Sequence, residues 1–120
     1  MLLSEVATMI QSMGLPFAYR AFEDGTAQAP PFICYLYTGN NPEPADNKIC
    51  AKIETLVIEL YTDSKDFSLE ATIEAVLDSY NMVYSREEEW ISSEKIQLTA
   101  YTMDVVITKD PVITDITTEV

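Results

Sequence analysis

The chain is expected to fold as an α+β two-layer sandwich, with a mainly antiparallel sheet and two helices on one face. Three observations predict this. Two segments carry apolar residues at helical spacing, and five shorter runs have strand character. The elements follow one another in the order α-β-β-β-α-β-β. The links between several of them are short enough for hairpins, which favours antiparallel pairing.

The first helix is read over residues 2–13. Leu3, Val6, Ile10 and Met13 recur at intervals of 3, 4 and 3, Gly14 can adopt the positive φ of a helix end, and Pro16 blocks continuation. A short strand candidate runs from Phe17 to Phe22, followed by the turn residues Glu23-Asp24-Gly25-Thr26. Pro30-Pro31 then introduces Phe32 to Tyr37, with Phe32, Cys34 and Leu36 on one face and Ile33, Tyr35 and Tyr37 on the other. The segment GNNPEPADNK, residues 39–48, reads as a loop. Partner contact and plain solvation stand as equal accounts of it.

The run KIETLVIELY, residues 52–61, is the clearest strand. Leu56, Ile58 and Leu60 define its core face, and Glu59 on the other side points to water or a polar interface. Asp66 is placed to cap the next helix, whose apolar stripe is Leu69, Ile73, Val76, Leu77 and Tyr80. Glu70 and Glu74 are expected on its solvated side, so that Glu70→Ala should matter little. Met82-Val83-Tyr84 is read as the start of a strand, Ile91-Ser92-Ser93-Glu94 as a hairpin turn, and Ile96 to Thr108 as a long final strand. Residues 1–110 form one domain, and 111–120 a tail that either adds an edge strand or trails free. The second sheet face has no evident cover. It is expected to bear Tyr35, Tyr37, Val57 and Tyr61, and with them Tyr101 and Met103; such a face wants a partner, the alternative being a mixed, wetted surface.

Composition narrows function. The 120 residues contain 7 Lys plus Arg against 20 Asp plus Glu, a formal charge of -13. That balance opposes a general phosphate-backbone binder and an anionic membrane surface. The start of the chain lacks a basic region before its apolar residues, so no signal peptide is expected, and no apolar run reaches a membrane span. Cys34 and Cys50 are expected as free thiols rather than a disulfide.

Catalytic chemistry is hard to assemble. The chain has no His, which removes the Ser-His-Asp triad and most catalytic zinc sites. Its three glycines, at 14, 25 and 39, make no phosphate loop. Asp63-Ser64-Lys65-Asp66 lacks the glycine and terminal Glu of a calcium loop, and Glu87-Glu88-Glu89 is the first place to look for a Mg²⁺ site, although such runs usually line solvated edges. The reading is therefore not an enzyme, with no catalytic, cofactor-binding or metal residues and no cofactor.

Four pieces carry a family resemblance: LLSEVATMI; PPFICYLYTGNNPEPADNK; IETLVIELYTDSKDFSLEATIEAVLDSYNMVY; and EEEWISSEKIQLTAYTMDVVI. Over about residues 2–108 they resemble the tail terminator, or tail completion, proteins of long-tailed bacteriophages and of Gram-positive prophages. The phrase ELYTDSKD ahead of an acidic helix is the most telling part, and residues 110–120 are unmatched. The resemblance implies a structural virion protein without active-site residues. It implies a ring, typically a hexamer, on the head-proximal end of the tail tube, assembled in the bacterial host cytoplasm. Its partners would be other copies, the major tail tube protein and the head-tail connector or completion protein. DNA would pass through the ring, and no membrane is involved. The competing class is a monomeric acidic protein-binding adaptor or nucleic-acid-mimic inhibitor.

Overall fold

The computed structural model describes residues 1–22, 28–38 and 51–108. The predicted turn at Glu23–Thr26, the 39–48 loop, Cys50 and the 111–120 tail lie outside the described residues.

Helix α1 spans Leu3–Gln11. The Glu5 carboxylate accepts a hydrogen bond from the Leu2 N–H at 2.6 Å, satisfying a donor at the helix start. Gly14 follows the helix with φ at +85°, and its N–H reaches the Gln11 carbonyl at 3.1 Å. The buried stripe is Val6, Met9, Ile10 and Met13; Leu3 is half-exposed, and Met9 takes the place expected for it.

Strand β1, Phe17–Tyr19, is shorter than expected because Arg20 turns the chain with φ at +67°. Strands β2 (Phe32–Tyr37), β3 (Ala51–Thr62), β4 (Ser85–Ile91) and β5 (Ile96–Thr108) complete one sheet in the order β1-β2-β3-β5-β4. All neighbours are antiparallel except β1 and β2, which run parallel. Parallel neighbours are not joined by a hairpin, which corrects the expectation of hairpin pairing between these two strands. Met82–Tyr84 precede β4 instead of opening it, since the turn closing α2 extends through Asn81.

Helix α2, Phe67–Ser79, starts as expected: the Asp66 side chain accepts from the Leu69 N–H at 2.9 Å. Both β3 and β4 oppose β5, so they run parallel to one another. Helix α2 is the crossover that joins them over the strand between. It lies on the same face as α1, since both helices share one core with the sheet. One core joins Val6, Met9, Ile10 and Met13 of α1 and Ile73 and Leu77 of α2 to Ile33, Leu56, Ile58, Leu60, Tyr101, Met103, Val105 and Ile107 of the sheet. This is the α+β sandwich that the element order implies.

Register corrects the facing of two strands. Tyr35 pairs with Ile58 and Tyr37 with Leu56, and directly opposed residues share a face. Tyr35 and Tyr37 thus point to the helix side, as do the buried Tyr101 and Met103. None of the four belongs to the uncovered face. Only Val57 and Tyr61, of the residues expected there, occupy it.

Candidate assembly surface

The open face can be read in rows across the sheet. Glu89, Leu98, Tyr61 and Phe32 form one row, Glu87, Ala100, Glu59 and Cys34 the next, and Ser85, Thr102, Val57 and Leu36 a third. Ile53 and Val106 pair further along, beyond Thr55 and Asp104. Neither helix covers these side chains, and among them Cys34 is buried.

Its aromatic end is ordered by ring contacts. Phe32 stacks on Tyr61 at 4.9 Å, and Phe22 meets Phe32 edge-on at 5.5 Å. Arg20, Phe22, Gln28, Phe32, Cys34 and Tyr61 line a shallow groove of about 290 Å³ there. The Tyr61 hydroxyl donates to Glu59 at 3.1 Å; burial first, and then that carboxylate, push its pKa well above the ordinary value. Burial likewise raises the Cys34 thiol, with Glu59 adding to the effect, and Cys34 is a free cysteine. Its reactivity is correspondingly low.

The polar content of this face has one sign. Glu59, Glu87, Glu89 and Asp104 are the charged residues on its described strand positions, where no Lys or Arg faces this side; Arg20 lines the groove just past β1. Asp104 accepts a hydrogen bond from Thr55 at 2.9 Å. The surface is thus apolar in its middle and acidic toward β4.

Lys65 and Arg86 lie on the helix side, in a cluster that overturns the expected placing of Glu70. Glu70 is 2% exposed. Its carboxylate accepts from Lys65 at 2.8 Å, from the buried Thr99 hydroxyl at 3.1 Å and from Arg86 at 3.5 Å. Glu74 accepts from Arg86 and from the Tyr101 hydroxyl, both at 2.9 Å. Lys65 also bridges to Glu88 at 2.8 Å, which holds the Glu88 carboxyl below its ordinary range. Glu70 stands three and seven residues before Ile73 and Leu77, so spacing alone places it on the buried stripe. The chemical type of the residue obscured that signal. The cluster fastens α2 to β4 and β5 and leaves its carboxylates fully occupied.

Strand alternation divides Glu87-Glu88-Glu89 between the two faces, with Glu88 toward the helices. Among the described residues, no group of three or more His, Cys, Asp or Glu side chains is placed to hold a metal ion, and no helix is long and apolar enough to cross a membrane. No family model, curated protein or solved structure matches the chain.

Proposed function

We propose that this protein is a structural virion component, a tail terminator that caps the head-proximal end of a phage tail tube as a ring and joins it to the head connector. The observation carrying this reading is the sheet face opposite the helices, where Phe32, Leu36, Val57, Tyr61 and Leu98 make an apolar centre that neither α1 nor α2 covers. A surface of that kind suits assembly, and its acidic border would not hold passing DNA by its phosphates. The sequence resemblance to tail terminators supplies the particular assembly. Because the charged residues on the described strand positions of this face are all acidic, an isologous face-to-face pairing of two copies would oppose like charges. Ring closure would instead use a heterologous contact, in which different surfaces of neighbouring copies meet. On this reading the protein has no turnover.

The absence of cations on the described strand positions of the open face also suits the second reading, a monomeric acidic adaptor or nucleic-acid-mimic inhibitor that docks on a basic protein. Removing the gene from its phage or prophage separates the two. The terminator reading expects filled heads beside unjoined or overlong tails, with joining restored by the purified protein. Tails of normal length joined to heads without the gene would end it, and tight binding of a basic cellular protein by the monomer would put the adaptor in its place.

A further inference from the structure

We propose that the outer edge of β4 accepts an extended basic segment of another protein chain as a sixth strand of the sheet. The inference goes beyond the ring reading and does not depend on it. Strand β4 ends the sheet, and among the described residues no hydrogen bond from another element reaches its outer side. Its seven residues, Ser85–Ile91, are exposed except Ile91, which is half-buried. Such an edge presents a row of backbone donors and acceptors ready to pair.

Charge selects the occupant. Glu87 and Glu89 point to the open face, opposite Ala100 and Leu98, and make no ion pair among the described residues. Lys65 and Arg86, the nearby cations, are engaged by Glu70, Glu74 and Glu88 on the helix side. Two uncompensated carboxylates therefore stand on alternate residues of a free edge. An incoming strand with Lys or Arg at alternate positions would place its cations across from both. Its intervening side chains would lie on the helix side, where Trp90 is 49% exposed and offers an apolar contact.

A second copy is a poor occupant. Antiparallel pairing of two β4 strands about Glu88 would set Glu87 against Glu89 and Glu88 against itself. The opposite edge, β1, has only three residues and is bounded by Pro16 and the positive-φ Arg20. The acidic edge thus excludes its own kind while favouring a basic strand.

The test uses the full chain and a synthetic peptide of alternating lysine and valine, long enough to span β4, with a glutamate–valine peptide as its counterpart. Binding is followed by NMR with amide hydrogen exchange. The lysine peptide should shift the β4 resonances, slow exchange at the outward amides of Ser85–Ile91, and weaken as salt is raised. Joint substitution Glu87→Gln and Glu89→Gln should weaken it about 10-fold, the scale of two exposed cross-strand pairs. Glu87→Lys with Glu89→Lys should transfer preference to the glutamate peptide, and each variant's unbound spectrum reports whether the fold is kept. Four results would overturn the proposal: no binding at millimolar peptide; binding without β4 protection, as for diffuse ion attraction; equal binding of the glutamate peptide; or concentration-dependent protection of β4 in the protein alone, which would assign the edge to a second copy. None bears on whether phage tails join without the gene, so this inference and the ring reading fail separately.

Discussion

Replacing Glu70 by Ala tests the helix-side cluster most directly. The carboxylate is buried and accepts from Thr99, Lys65 and Arg86. Its loss strands the Thr99 hydroxyl in a fully buried position, which costs about 1–3 kcal/mol. Lys65 keeps Glu88 and Arg86 keeps Glu74, and both cations are partly exposed, so each weakened pair adds only about 0–1 kcal/mol. Relief from holding a charge away from water offsets part of this. A destabilisation of about 2–3 kcal/mol is expected, which at a urea slope of about 1–3 kcal/mol per molar lowers the midpoint by roughly 0.7–3 M. Glu70→Gln retains an acceptor for Thr99 and should lose about half as much. Glu94→Ala, in the exposed β4–β5 turn, is the control and should stay within about 0.5 kcal/mol. Urea unfolding followed by circular dichroism measures all three. If Glu70→Ala matches the Glu94 control, the carboxylate is a solvated surface group and the cluster does not fasten α2.

Leu56→Asp should abolish folding, because Leu56 is fully buried and the new carboxylate would meet only apolar neighbours; a cooperative urea transition close to wild type would refute the facing of β3. Stability should fall steeply above pH about 10, the ordinary tyrosine value. Burial raises the folded-state pKa of Tyr37, Tyr61 and Tyr101, so their contribution is complete below that pH and is lost as the unfolded chain begins to ionise ahead of the folded one. Ultraviolet titration should show these rings ionising together with unfolding, and smooth ionisation of every tyrosine in a still-folded protein would contradict it. Cys34 should resist alkylation in the native protein and react once urea is added, and two labels without reductant would show both thiols free. Loss of two hydrogens with no label would instead mean a disulfide.

Much of the architecture is legible in local patterns, because caps and periodicities act over a few neighbouring residues. Asp66 before Phe67 marks the start of α2, the alternation from Ile96 to Thr108 marks β5, and Gly14 ahead of Pro16 closes the α1 region. The segment FICYLY has the right bounds for β2, but both of its faces are apolar or aromatic, so nothing within it says which one meets the helices. That choice rests on the pairing of Tyr35 with Ile58 and Tyr37 with Leu56, a contact between segments about twenty residues apart.

The sequence by itself determined the element order, the core face of β3, the acidic charge and the lack of histidine chemistry, since each follows from composition or short-range spacing. Only the tertiary structure decided that β1 runs parallel to β2, that Tyr35 and Tyr37 lie under the helices, and that the described strand positions of the open face carry acids without cations. It also decided that Glu70 is buried. Helical spacing permits a carboxylate at that position, but its burial depends on partners that satisfy it: Lys65 stands five residues before it, whereas Arg86 and Thr99 come from β4 and β5, which strand pairing brings together.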